Sequence, residues 1–199
     1  MAETVKITET SPHHMSAHDV ERILVSGDEI ENKVEELSRE IERDYAGSER
    51  KLLLLGILKG SVVFMAELMK HLRIPVEIDF MKVSSYGAGT KTTGNIEIKL
   101  DLHRGDLPEC DVLIVEDIID SGRTLSYLVD YLKLKGAAGS VRTITLLDKP
   151  SRREVDFEPD YTGFEIPDEF VVGYGLDYDE KYRALPYVGV LKPEIYEKK

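Results

Sequence analysis

The stretch Val112–Thr124, VLIVEDIIDSGRT, concentrates the residues best able to do chemistry. Its apolar run drives a buried strand, and two carboxylates, Glu116 and Asp117, stand at the carboxyl end. The next turn carries Asp120, Ser121, Gly122, Arg123 and Thr124, where a helix begins. Gly122 lets the backbone come close to a phosphate. The Ser121 and Thr124 hydroxyls and the free N–H groups of a first helical turn can donate to phosphate oxygens, and the helix dipole favours the negative charge. Adjacent carboxylates before such a cradle suit the paired hydroxyls of a sugar, or a hydrated Mg²⁺. The plainer reading is a strand–turn–helix with Asp and Ser as N-caps. No GKS or GKT follows an earlier glycine, so the stretch is not a Walker loop.

Such a turn needs a rigid platform, and the flanking pattern supplies one. Ser26 and Glu29 make an S-x-x-E capping box, with Val25 able to pack on Ile30. Ile30, Val34, Leu37, Ile41 and Tyr45 then recur at helical spacing, and Gly47 is the expected stop. Strands are expected at Lys51–Leu58, Val76–Val83, Ile96–Leu100, Asp111–Asp117, Val141–Leu147, Phe170–Tyr174 and Tyr187–Leu191, with helices at Ser61–Leu72 and Arg123–Leu134. Strands separated by helices imply crossover connections, hence an α/β fold with a mainly parallel central sheet flanked by helices. Ser84–Asn95, rich in Gly and Thr, and Pro150–Pro159 read as irregular. The last third is expected to form a small lobe around the sheet.

Composition narrows the partners. The 199 residues fit one domain, with a core from about Val25 to Leu191 and a polar arm over residues 1–18. The net charge of −12 argues against broad binding to nucleic acid or an anionic membrane. Cys110 is the only cysteine, so no intrachain disulfide forms and a reducing cytoplasm fits. The longest apolar run, Leu52–Leu58, is far below the roughly 20 residues of a membrane span. The arm has no apolar stretch of the roughly 7–15 residues a secretory signal needs. Its His13, His14 and His18 lack a fourth ligand nearby and read as solvated rather than metal-binding.

VLIVEDIIDSGRT resembles the phosphoribosyl pyrophosphate signature of type I phosphoribosyltransferases, and within them the bacterial hypoxanthine(-guanine) branch. LLGILKGSVVF (54–64), SSYG (84–87), LLDKPSRR (146–153) and GFEIPDEFVVGYGLDY (163–178) agree with it, in the same order. The resemblance implies the type I fold with a hood lobe and a flexible lid. It implies transfer of phosphoribose from its pyrophosphate to hypoxanthine, and to guanine, giving IMP or GMP. It also implies Mg²⁺, a cytoplasmic setting and a homodimer or homotetramer, with small-molecule substrates and neither nucleic acid nor membrane. A xanthine- or guanine-preferring relative, or a non-catalytic regulator of the same fold, is the alternative; a regulator would be expected to show a basic face.

Residue by residue, Asp120 matches the family's acid/base group, and an ordinary aspartate is ionised at neutral pH and can accept a proton. Glu116 and Asp117 match groups facing the ribose hydroxyls and metal-bound water, and Ser121–Thr124 the 5′-phosphate cradle. Arg123 stands where relatives often carry Lys. Lys149 matches the donor to the C6 carbonyl of an oxopurine, Phe170 the ring that stacks on the base, and Val171 the backbone that reads its edge. Asp177 matches a position beside the base that holds a second Mg²⁺ near pyrophosphate. Lys59, Gly60 and Arg183 match pyrophosphate-binding positions, with the Lys59–Gly60 peptide often cis in the family. Ser85 and Tyr86 match the lid.

Overall fold

The computed structural model describes residues 17–86, 95–137 and 139–197. His13, His14 and most of the expected arm lie outside them, as does the centre of the expected lid, residues 87–94. Ala17–Asp19, at the end of the expected arm, form a 3-10 turn.

Helix α1, Gly27–Tyr45, is built as its sequence dictates. Ser26 is the N-cap, its side chain accepting from the Glu29 amide while the Glu29 carboxylate reaches back to the Ser26 N–H at 2.8 Å. Ile30, Val34, Leu37, Ile41 and Tyr45 form its buried stripe. The helix ends at Tyr45 without a left-handed residue, so Gly47 is not the expected cap but part of the turn that follows.

Strands β2 (Lys51–Ile57), β3 (Val76–Tyr86), β4 (Asn95–Leu100), β5 (Cys110–Ile119), β6 (Val141–Asp148) and β7 (Tyr161–Glu165) form one sheet in the order β4-β3-β2-β5-β6-β7. All neighbours are parallel except β3 and β4, an antiparallel edge pair. A parallel sheet covered on both faces needs strands that are apolar on both sides. Leu52, Leu54, Leu113 and Val115 accordingly face one core with α1 and α2 (Ser61–His71), while Leu53, Leu55, Val112 and Ile114 face a second core under α3 (Arg123–Leu134).

A second sheet, β1 (Val20–Val25), β9 (Val188–Leu191) and β8 (Val171–Val172), is antiparallel and forms the hood. The expected Phe170–Tyr174 strand shrinks to two residues because Gly173 and Tyr174 both turn to positive φ. The expected irregular stretch from Ser84 is corrected at its start. Ser84, Ser85 and Tyr86 extend β3 and pair with Glu97, Ile96 and Asn95. The cis peptide is Leu58–Lys59, one bond before the expected Lys59–Gly60.

Candidate functional site

The carboxyl ends of β2, β5 and β6 lie side by side, and the segments leaving them carry Lys59–Gly60, Asp120–Thr124 and Lys149. Ligands of open α/β sheets bind at such an edge. A cavity of about 270 Å³ is lined by Glu116, Ile118, Asp120, Ser121, Gly122 and Thr124. A second, of about 420 Å³, lies between Ile118, Asp120, Lys149, Phe170, Val171 and Tyr196. Ile118 and Asp120 line both, so the two compartments meet at the Asp120 carboxylate.

Gly122, at φ +78°, is the N-cap of α3 and has no side chain to cap it, while Ser121 Oγ accepts from the Arg123 N–H at 3.4 Å. Ser121 therefore keeps part of the plainer capping role, whereas the Asp120 carboxylate faces Lys149 and Arg152 instead. Thr124 and Leu125 of the first turn of α3 line the smaller cavity at the positive end of the helix dipole, a site suited to a phosphate.

Glu116 and Asp117 form a half-buried carboxylate pair, with Glu116 Oε2 out of solvent. Burial and the adjacent Asp117 charge push Glu116 well above the ordinary carboxylate range, and burial also raises Asp117. Two carboxylates this close and this dry favour sharing a proton over carrying two charges. Glu116 Oε2 has no hydrogen-bond partner among the described residues, whereas Asp117 Oδ1 accepts from the Ile118 amide at 3.0 Å. A half-protonated pair can both donate to and accept from neighbouring sugar hydroxyls. The approach of Asp117 depends on Gly60, because a Cβ there would lie 1.5 Å from Asp117 Oδ2.

Asp120 Oδ1 is buried and has no hydrogen-bond partner among the described residues. Lys149 Nζ stands 3.9 Å from it, and Arg152 Nη1 is 3.7 Å from Oδ2. Lys149 is only 5% exposed, and burial holds its ammonium below the usual lysine range against the pull of Asp120. A desolvated ammonium with few partners is a strong donor to a ligand carbonyl.

Phe170 lines the larger cavity and is 37% exposed. One face stacks on Tyr196 at 4.7 Å and Tyr178 meets the ring edge-on at 5.6 Å, so the ring is held as a rigid slab. Val171 is buried beside it. Nearer the β2 end, Lys59 Nζ pairs with Glu180 at 2.9 Å, and Arg183 pairs with Asp177 at 2.8 Å and Glu180 at 3.2 Å. Asp177 also accepts from the Glu180 amide at 2.9 Å, so both its oxygens are engaged.

Residues 24–179 match the family described as phosphoribosyl transferase domain. A hypoxanthine-guanine phosphoribosyltransferase of Lactococcus lactis is 54% identical over 179 residues, covering 90% of this chain and 95% of that protein. The chain belongs to the hypoxanthine-guanine phosphoribosyltransferase family. The Bacillus subtilis phosphoribosyltransferase of that name is 51% identical over 92% of this chain and 99% of its own length. The crystal structure of a hypoxanthine phosphoribosyltransferase from Staphylococcus aureus superposes with a TM-score of 0.85 at 45% identity, over 93% of this chain and 100% of that one. The chain also matches the bifunctional protein TilS/HprT of Listeria monocytogenes at 54% identity, spanning 27% of that protein's length.

Of the residues matched to phosphoribosyltransferase motifs, Glu116, Asp120, Ser121, Gly122 and Thr124 meet at one cavity, and Asp120, Lys149, Phe170 and Val171 at the other. Asp117 packs against the Gly60 position. Arg123 turns away to Glu154 at 2.5 Å, leaving the cradle to backbone. Ser85 and Tyr86 are placed as strand residues, and the rest of the expected lid lies outside the described residues. Glu116, Asp117 and Asp177 do not gather into one ligand set: no group of three His, Cys, Asp or Glu that could hold an ion occurs among the described residues. Sequence reasoning missed Arg152, which bridges Asp120 and Asp168, and Tyr196, which stacks on Phe170 and lines the larger cavity with it. The doubled arginine in LLDKPSRR signalled the first; nothing local signalled the second.

Proposed function

We propose that this protein is a purine-salvage transferase, joining hypoxanthine, and guanine, to phosphoribosyl pyrophosphate with release of pyrophosphate. The observation that carries the reading is the Asp120 carboxylate, standing where a phosphate-sized and a base-sized compartment meet with one oxygen unpartnered among the described residues. In this reading the purine lies between Ile118 and Phe170, with its C6 carbonyl accepting from Lys149 and its edge read by the backbone at Val171. Asp120 takes the proton from N7 as N9 bonds to C1 of the ribose and the C1–oxygen bond to pyrophosphate breaks. Glu116 and Asp117 hold the ribose hydroxyls, and the first turn of α3 holds the 5′-phosphate. Lys59, Gly60 and Arg183 receive the pyrophosphate, for which Lys59 must leave Glu180 and Arg183 must leave Asp177 and Glu180.

The unpartnered Glu116 Oε2 fits Mg²⁺ bound largely through water and substrate phosphates, with Asp117, and Asp177 once Arg183 has turned to pyrophosphate, as the other carboxylates that would hold it. When bound, the ion would neutralise charge developing on pyrophosphate. A cytoplasmic setting and a homodimer or homotetramer belong to the same proposal; no helix of the described residues is long and apolar enough to cross a membrane. The test is nucleotide formation from hypoxanthine, guanine, xanthine and adenine, each with phosphoribosyl pyrophosphate and Mg²⁺. Turnover of the 6-oxopurines over adenine is expected, and turnover of none of them overturns the reading.

A further inference from the structure

The segment after β6 is tied to the turn after β5 at three points. Lys149 N–H donates to Ile119 O at 3.0 Å, Glu154 N–H donates to Ser121 O at 3.0 Å, and between them lies the Arg153 side chain. Its guanidinium forks. Nη1 donates to the Asp120 carbonyl at 2.7 Å, and Nη2 donates to Asp148 Oδ1 at 2.7 Å, with Glu158 further off at 3.8 Å. Asp148 is 3% exposed and the Arg153 side chain 11%, so this charge pair is out of solvent. The Arg153 stem packs against Gly122, where an added Cβ would lie 2.9 Å from its Cδ.

We infer that Arg153 is a positioning residue for the base, setting the Asp120 carboxylate against Lys149 by gripping the Asp120 main chain and the end of β6 at once. Asp148 immediately precedes Lys149, and the Asp120 carbonyl is bonded to the α-carbon that carries the reactive carboxylate. One planar fork therefore sets the spacing between the group that takes the purine proton and the group that reads the purine carbonyl. A guanidinium does this where an ammonium cannot, because its donors diverge in a fixed plane. The inference rests on the proposed role of Asp120.

The competing account is that Arg153 only neutralises the buried Asp148 carboxylate, and a double substitution separates the two. Arg153→Met alone strands a buried charge and is expected to lower the melting temperature. Asp148→Asn with Arg153→Met removes both charges and restores that temperature, yet leaves the Asp120 carbonyl ungripped. Misplacement of a reacting group by about 1 Å costs on the order of 10²-fold. The double variant is thus expected to keep kcat about 10- to 100-fold below the unaltered protein, with KM for purine and for phosphoribosyl pyrophosphate changed by less than about threefold. Return of kcat to the unaltered value in the restored double variant overturns the inference.

Should the double variant not fold, Arg153→Lys decides. Lysine keeps the charge near Asp148 but cannot hold both acceptors, so a folded protein with reduced kcat supports the inference and full kcat defeats it. Failure of the underlying reading looks different: the unaltered protein makes no nucleotide, or Asp120→Asn leaves kcat unchanged.

Discussion

Replacing Gly60 by alanine isolates the packing between the turn after β2 and the carboxylate pair on β5. Gly60 has ordinary right-handed backbone angles, φ −61° and ψ −36°, so alanine costs nothing there by conformation. Its Cβ, however, would lie 1.5 Å from Asp117 Oδ2 and 2.4 Å from Cγ. The oxygen must retreat by about 1.5 Å even to reach the shortest separations that real Cβ atoms tolerate. Asp117 has little room to comply, because its other oxygen is held by the Ile118 amide and its backbone is part of β5. A displacement beyond 1 Å at a substrate-positioning group costs about 10²-fold, so kcat/KM for phosphoribosyl pyrophosphate should fall by that factor, about 2.7 kcal/mol. Overpacking should also cost about 1–3 kcal/mol of stability. Steady-state transfer with phosphoribosyl pyrophosphate varied, beside a thermal melt, reads both. Asp117→Ala supplies the control: with the obstructing carboxylate gone, Gly60→Ala/Asp117→Ala should be no worse than Asp117→Ala alone. Full activity in Gly60→Ala, or additive losses in the double variant, would refute the reasoning.

Three further outcomes are expected. Asp120→Asn keeps the shape but cannot take the proton, so kcat should fall roughly 10²–10⁴-fold with an unchanged melt; an unaffected kcat where chemistry limits the rate removes Asp120 as the base. Glu116 is held above its ordinary value in the fold, so its stabilising protonated form dominates at acid pH and is lost as pH rises through the folded value. Glu116→Gln should therefore raise the melting temperature by roughly 2–8 °C near pH 8, taking about 1–2 kcal/mol for the buried charge, with a smaller gain near pH 4.5; a pH-independent difference contradicts this. Glu180→Gln frees Lys59 from an exposed anion while Arg183 keeps Asp177, so pyrophosphate inhibition should tighten by no more than about fivefold, and weaker inhibition counts against the pairing.

The central sheet was legible because its strands are apolar on both faces and its helices carry their own punctuation. Arg123–Leu134 coincides with α3, and the Ser26–Glu29 capping box is present as read. The hood was harder. Val20–Val25, VERILV, alternates too weakly to declare a strand and is ordered by pairing with β9, some 165 residues away. Tyr161–Glu165 is an edge strand with a glycine at its centre, and period-2 patterning has little purchase on five such residues. Within the site, Val112–Thr124 was readable because strand, turn and helix N-terminus are contiguous there. The Arg153 fork and the stacking of Tyr196 on Phe170 join distant segments and leave no local pattern.

The pairing of β1 with β9 imposes an order of assembly. The parallel sheet, with its phosphate turn and the Glu116–Asp117 pair, is complete once Glu165 has been made. Phe170 and Val171 are fixed only when Val188–Leu191 arrives to bridge them to the strand at Val20–Val25. The wall that receives the base is thus assembled last, by the contacts of greatest sequence separation and hence slowest closure. The strands of the sugar-phosphate half can pair through nearer contacts before the wall that takes the purine closes over them. Loss of residues 188–191 should accordingly abolish base binding, and it should also lower the melting temperature, because Val188 and Val190 pack in the same core as Leu52, Leu54, Leu113 and Val115.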